Sequence, residues 1–155
     1  MLNRYIKKIL DARVYDVAIE SPMTHALALS ARFNNQIYLK REDLQPVFSF
    51  KLRGAYNRVR QLTEKEKAKG VIAASAGNHA QGLALAARHL GIKATIIMPK
   101  TTPEIKVNAV RGLGGKVVLV GDTFDEASVY AQEQVKQKGL IYIPPYDDEE
   151  VIAGQ

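Results

Sequence analysis

The feature that most constrains the fold lies between residues 71 and 143, where short apolar segments alternate with capped helical segments. The apolar segments, which we predict to be strands, cover residues 71–74, 94–98, 116–120 and 140–143. Helical segments that begin at capping residues and end near a glycine cover 78–90, 102–113 and 123–138. This alternation predicts βα units, whose right-handed crossovers place helices on both faces of one sheet. We therefore predict an α/β fold with four parallel, fully buried strands.

The first 70 residues are predicted to be mainly helical. A helix is expected over residues 2–12, and a second from the Ser21 cap, with Pro22 at the first helical position, to about residue 33. A short strand over 37–39, a helix over 52–62 and a short helix from 63 to Gly70 follow. Four βα units are also half of an eight-stranded barrel, but the two helices that precede them argue against that alternative.

Composition limits the functional classes. Of 155 residues, 46% are hydrophobic and 25% are charged, as is usual for a globular domain. No apolar run approaches the roughly 18 residues that span a bilayer, and residues 1–8 lack the apolar core of a secretory signal. The absence of cysteine excludes disulfides and thiolate zinc sites, and the three histidines lack metal-binding spacing. We expect a cytoplasmic protein with no metal and no membrane segment.

The net charge of +6 is concentrated between residues 40 and 70, which contain nine Lys and Arg but only four Asp and Glu. This stretch carries no known nucleic-acid-binding module. We therefore interpret these charges as solvated helix faces and expect no nucleic-acid partner.

The first segment whose residues could bind a ligand covers residues 71–82. A buried strand leads into a turn of small residues, Ser75 to Gly77, and a helix opens at Asn78. Backbone N–H groups at a helix start carry partial positive charge and suit a carboxylate or phosphate. Gly77 permits close approach, and the side chains of Ser75, Asn78 and His79 can add hydrogen bonds. Ordinary helix capping explains the same residues equally well.

The second segment centres on Lys51, which lies between Phe50 and Leu52 at a predicted helix start. Apolar neighbours and a helix N-terminus both disfavour an ammonium ion and lower its pKa, as a nucleophilic amine requires. The alternative is an ordinary solvated lysine, which is the commoner case at a helix start.

Residues 49–55 (Ser-Phe-Lys-Leu-Arg-Gly-Ala) and 75–82 (Ser-Ala-Gly-Asn-His-Ala-Gln-Gly) together resemble the threonine deaminases, or threonine ammonia-lyases. These are fold-type-II enzymes that depend on pyridoxal phosphate (PLP), like tryptophan synthase β. Residues 13–16, 39–43 and 144–155 resemble the biosynthetic branch. The resemblance covers essentially the whole chain. It implies N-terminal elements of a large domain over 1–45, a small βα domain over 46–147 and a return into the large domain over 148–155.

The resemblance also implies roles for individual residues. Lys51 would form the covalent link with PLP and act as base at the substrate Cα. Phe50 and Asn78 would contact the cofactor, and Asn78 would hydrogen-bond its ring oxygen. The substrate carboxylate would be held by five consecutive residues, Ser75, Ala76, Gly77, Asn78 and His79. The reaction would be β-elimination of L-threonine to 2-oxobutanoate and ammonia, the first step of isoleucine biosynthesis.

Two further expectations follow from the resemblance. Racemases of this family carry serine at the position of Ala76, so alanine favours dehydration over racemisation; a serine dehydratase or serine racemase-like enzyme is a further alternative. In full-length relatives the glycine-rich loop that binds the PLP phosphate lies beyond residue 155. We therefore expect an N-terminal fragment with an incomplete PLP site, inactive alone, from a homo-oligomeric enzyme. A non-catalytic remnant that associates with further chains, or a βα ligand-binding module unrelated to PLP, would also account for the sequence.

Overall fold

The structure, a computed structural model, describes residues 2–155. Its α-helices are α1 (Leu2–Asp11), α2 (Leu27–Phe33), α3 (Lys51–Arg60), α4 (Glu64–Lys69), α5 (Asn78–His89), α6 (Glu104–Gly112), α7 (Phe124–Lys138) and α8 (Glu149–Gly154). Its strands are β1 (Met23–His25), β2 (Tyr38–Lys40), β3 (Val71–Ala74), β4 (Ala94–Met98), β5 (Lys116–Leu119) and β6 (Ile141–Tyr142). Short 3-10 helices cover Val14–Asp16 and Glu42–Leu44.

The main sheet is parallel and has the strand order β5-β4-β3-β6. Helices α5 and α6 cover one face and α7 covers the other. The predicted four-stranded parallel sheet is therefore confirmed. In a barrel, β6 would lie beside β5, whereas here it pairs with β3, with Val71 opposite Ile141. The half-barrel alternative is thus wrong for this chain.

The core lies around the two central strands. Every residue of β3 is buried, and so is every residue of β4 except the half-buried Thr95. The edge strands differ, because each has a neighbour on one side only: β6 is half-buried, and Lys116 and Leu119 at the ends of β5 are exposed. The prediction of four fully buried strands is wrong for β5 and β6.

The segment that follows Ser21 also departs from the prediction. Instead of a helix from Ser21 and Pro22, the chain forms β1, which pairs antiparallel with β2, and α2 begins only at Leu27. The Ser21 hydroxyl donates a hydrogen bond to Glu42, and the Pro22 carbonyl accepts one from Arg41 N at 3.0 Å. Contacts with residues distant in sequence therefore override the local capping pattern.

The N-terminal region is attached by ion pairs and leaves many apolar side chains exposed. Arg4 and Lys8 of α1 pair with Glu149 and Glu150 of α8. The large exposed apolar side chains of this region include Ile9, Leu10, Met23, Leu27, Phe33, Tyr38 and Phe48. Within residues 2–155 there is no helix long and apolar enough to cross a membrane, and no group of three His, Cys, Asp or Glu side chains placed to hold a metal ion.

Candidate active site

The candidate site lies at the carboxyl edge of the sheet, between β3 and β6. From β3 the chain adds β4 and β5 on one side, and it then returns to place β6 on the other side. In open parallel sheets such a reversal of strand order leaves a crevice where ligands bind. Two segments border this crevice: the turn over residues 75–77, after β3, and residues 143–145, after β6.

Lys51, the first residue of α3, reaches this edge. Its Nζ donates a hydrogen bond to the carbonyl oxygen of Pro145 at 2.7 Å and lies 5.4 Å from the centre of the Phe50 ring. Its backbone N–H donates to Ser49 Oγ at 3.2 Å. Burial lowers the pKa of the Lys51 amine, in the direction that its apolar neighbours predict.

Gly82 of α5 lets this helix pack closely against the start of α3, where Lys51 lies. A Cβ at Gly82 would lie 3.0 Å from the backbone N and Cα of Leu52 and from the carbonyl carbon of Lys51. Helix α5 therefore touches the backbone at the start of α3, and any side chain at residue 82 would push the two helices apart. Sequence reasoning missed this role, although a glycine inside a helical pattern is a signal of close packing.

The turn over residues 75–77 leaves open space before α5. Ser75 N donates to Ile97 O at 3.0 Å, and Ser75 Oγ accepts from Gly77 N at 3.3 Å. A Cβ added at Gly77 would meet no atom of residues 2–155 within 4 Å. Gly77 occupies the N-cap position and Asn78 is exposed, so the interpretation of Asn78 as an ordinary helix cap is wrong. Both the Asn78 side chain and the helix start are thus accessible to a ligand.

The side chain of His79, in the first turn of α5, is directed towards the end of β6. Its ring is buried, and Nε2 donates to the carbonyl oxygen of Ile143 at 2.9 Å. Burial lowers the pKa of His79, with a smaller contribution from the charge of Lys51. Nε2 of His79 is therefore engaged with the end of β6, and a role of His79 in holding a ligand stays a prediction.

A largely buried ion pair, Arg53 with Glu42, supports the loop that precedes Lys51. Arg53 donates two hydrogen bonds to Glu42, from Nε at 2.7 Å and from a terminal nitrogen at 3.0 Å. Ser21 and Gln45 donate to the same carboxylate, and these bonds hold the pKa of Glu42 at about 2. The Gln45 side chain also bonds both backbone polar groups of Ile19 at 2.9 Å. Sequence reasoning missed this network, since charged residues are common throughout this region.

The residues of this edge fit pyridoxal phosphate. A primary amine with a lowered pKa, as PLP requires for covalent attachment, lies at the crevice. Open space at Gly77 and the exposed amide of Asn78 leave room for a polar ring beside that amine. Phe50, nearly half exposed beside Lys51, offers an apolar surface to the same space.

Comparisons with known proteins agree with this geometry. The chain is 58% identical over 151 residues to the biosynthetic, chloroplastic threonine dehydratase of Arabidopsis thaliana, a match covering 97% of this chain and 26% of that protein. The processed form of threonine deaminase isoform 2 from Solanum lycopersicum superposes with a TM-score of 0.95 at 59% identity, over 99% of this chain and 42% of that structure. Maize serine racemase superposes with a TM-score of 0.91 at 29% identity, over 96% of this chain and 46% of that structure.

The chain thus spans about a quarter of the length of the Arabidopsis relative. The family described as pyridoxal-phosphate dependent enzymes matches residues 14–155, which is most of the sequence. This family match agrees with the parallel-sheet fold and with the position of Lys51 at its carboxyl edge. The chain belongs to the pyridoxal-phosphate dependent enzyme family.

Proposed function

We propose that this chain is the lysine-bearing part of a PLP-dependent threonine ammonia-lyase that converts L-threonine to 2-oxobutanoate and ammonia in isoleucine biosynthesis. The observation that carries the proposal is the position of Lys51. Its amine bonds the Pro145 carbonyl just beyond β6, the strand that pairs with β3, in a chain 58% identical to a biosynthetic threonine dehydratase. A serine racemase-like activity has less support, since identity to the maize enzyme is 29%.

In this proposal Lys51 has two tasks. Its Nζ would hold the cofactor covalently, and its neutral amine would accept the proton from the substrate Cα. Burial lowers its pKa, which raises the fraction of neutral amine able to accept that proton near neutral pH. Bound PLP supplies an electron sink for the negative charge that develops at Cα. Phe50 and Asn78 would contact the cofactor from either side of the crevice.

The turn over residues 75–79 binds the substrate carboxylate in this proposal. The start of α5 presents backbone N–H groups with partial positive charge, and Gly77 leaves room for the carboxylate to approach. Ser75 adds a hydroxyl, whereas His79 contributes only backbone. Ala76 brings no acid or base to the turn, which favours loss of the β-hydroxyl over racemisation.

We also propose the domain division 1–45, 46–147 and 148–155, in which the first and last parts belong to a larger domain. The exposure of Leu10, Leu27 and Phe33 supports it, since apolar side chains in this number require a covering surface. The PLP site is then incomplete within these 155 residues, and the whole enzyme is a homo-oligomer.

For the cellular compartment we propose the cytoplasm, although the Arabidopsis relative is named chloroplastic. Cell fractionation tests this proposal.

The test supplies the remaining part of the enzyme. The chain is mixed with PLP and with the part of the tomato isoform that follows the matched region, and 2-oxobutanoate is measured. Lys51→Ala should lower turnover by at least about a thousandfold while circular dichroism stays unchanged, because nucleophile and base are lost together. Lys65→Ala, at an exposed lysine on α4, is the matched control and should retain activity. Activity in Lys51→Ala near that of the control would refute the assignment.

The chain alone provides a second test. After incubation with PLP and dialysis, we expect no stoichiometric cofactor absorbance and no threonine deamination, because the charged phosphate needs a dedicated binding site. Stable, stoichiometric PLP with turnover would overturn the proposal that the site is incomplete.

A further inference from the structure

We propose that His79 is a positioning residue for Lys51, acting by fixing residues 143–145 so that the Pro145 carbonyl holds and orients the Lys51 amine. The inference rests on the proposed function, in which Lys51 is the amine that binds PLP. It assigns to His79 a task different from binding the substrate.

Two prolines follow the last residue of the chain that pairs with β3. Ile143 N donates to Ile72 O at 2.9 Å and so continues the pairing of β6 with β3. Pro144 and Pro145 follow, and neither has a backbone N–H to donate. From this point the segment can be held through its carbonyl oxygens, and two side chains supply the donors: His79 at Ile143 O, 2.9 Å, and Lys51 at Pro145 O, 2.7 Å.

The protonation state of His79 suits a holding role. A carbonyl oxygen only accepts hydrogen bonds, so Nε2 carries the ring proton. Nδ1 then keeps its lone pair, and it is buried with no hydrogen-bond partner among residues 2–155. A second proton would place a positive charge on a buried ring close to Lys51; burial lowers the pKa of His79, and the charge of Lys51 lowers it further. The imidazole is therefore a neutral donor at neutral pH, as a residue that holds a carbonyl requires.

The consequence falls on Lys51. A hydrogen bond to Pro145 O uses one N–H of the amine, so the lone pair of the neutral form points away from that carbonyl. The fixed segment also helps to bury the amine, and burial is what lowers its pKa. If residues 143–145 lose their anchor at His79, the amine loses both its orientation and part of its shielding from water.

Two substitutions separate the hydrogen bond from packing. In His79→Gln the side-chain amide can reach Ile143 O as a donor, whereas His79→Met is of similar length and has no donor. Each variant of the full 155-residue chain is treated with PLP at a series of pH values. The adduct is trapped with borohydride, and the modified lysine is identified and quantified by peptide mass mapping. Circular dichroism and thermal unfolding report on the fold of each variant.

In the wild type and in His79→Gln, we expect Lys51 to react faster than the exposed Lys65. The midpoint, the pH at which the rate of reaction reaches half its maximum, should lie below that of an ordinary lysine. In His79→Met, the rate at Lys51 at neutral pH should fall by at least about threefold, and the midpoint should move towards the ordinary value. A merely structural His79 would change thermal unfolding and leave the midpoint in place. If His79→Met fails to fold, Pro145→Gly loosens the same carbonyl and should slow Lys51 in the same way.

The outcomes distinguish the two proposals. If wild-type Lys51 reacts no faster than Lys65, the proposed function fails. If Lys51 is preferred but His79→Met, or Pro145→Gly in its place, leaves its rate and midpoint unchanged, the positioning role fails and the proposed function stands. If His79→Gln behaves like His79→Met, the ring and not its hydrogen bond is required, which also overturns the inference.

Discussion

Replacing Glu42 by Gln tests the ion pair with Arg53 that supports the loop before Lys51. The Glu42 side chain is 17% exposed and that of Arg53 is 9% exposed, so water screens the pair weakly. The Arg53 guanidinium and the other donors lower the pKa of Glu42 from 4.5 to about 2. One pKa unit corresponds to about 1.4 kcal/mol, so the charged carboxylate contributes up to about 3 kcal/mol to the free energy of unfolding.

The sign of the pH dependence follows from the lowered pKa. The contribution is fully present above pH 4.5, and it is lost as the pH falls through 4.5 towards 2. Protonated Glu resembles Gln in shape, so the destabilisation by Glu42→Gln should be about 3 kcal/mol at pH 7 and should approach zero near pH 2. At neutral pH the variant also leaves the Arg53 charge buried without its counter-ion, which acts in the same direction.

Urea unfolding followed by circular dichroism at several pH values between 7 and 2.5 measures this difference. Glu20→Gln, at an exposed glutamate, is the matched control and should change stability by less than about 0.5 kcal/mol. In Glu42→Gln combined with Arg53→Met, which removes the orphaned charge, much of the loss should be recovered. A loss below about 1 kcal/mol at pH 7, or one that does not vary with pH, would refute the reasoning.

Three further predictions concern backbone geometry. Gly54→Ala places a Cβ 2.6 Å from a backbone oxygen of α8, so thermal unfolding should show a loss of stability of about 1–2 kcal/mol. In the control Gly112→Ala the added Cβ meets no described atom within 4 Å, and stability should not fall. Phe48 is exposed and has φ +54°, a conformation that glycine adopts more easily than other residues. In urea unfolding Phe48→Gly should be more stable than Phe48→Ala by about 0.5–1 kcal/mol, and equal stability would show that residue 48 carries no backbone strain. Gly82→Ala should separate α5 from the start of α3 and slow PLP trapping at Lys51, and an unchanged trapping rate would show that the contact does not position the lysine.

Local signals predicted most of the fold correctly. Helices begin at Thr63 and Thr123 as predicted, and each start forms a capping box whose two partners lie three residues apart. Helix α2 ends at Phe33, as predicted, and Asn34 follows it in the left-handed conformation. The failure at Ser21 has the opposite origin: its hydroxyl bonds Glu42, 21 residues away, so no local pattern records the choice between strand and helix.

The site was predictable where its residues are close in sequence. Lys51 with its apolar neighbours, and the turn from Ser75 to Asn78, are each short motifs with their own chemistry. The partners of Lys51 and His79 are backbone carbonyls of residues 94 and 64 positions away. Every residue carries a carbonyl group, so its use as an acceptor leaves no trace in the sequence. Only the placement of β6 beside β3 identifies Pro145 and Ile143.

That strand order also has a kinetic consequence. β3 pairs with β4 across 23 positions of the chain, from Val71 to Ala94, but it pairs with β6 across 70, from Val71 to Ile141. Closing the longer loop costs about 1 kcal/mol more chain entropy, and β6 has only two residues with which to offset that cost. We expect amide hydrogens of β6 to exchange faster than those of β4. The crevice that holds Lys51 is then the last part of the sheet to close during folding and the first to open in the native state.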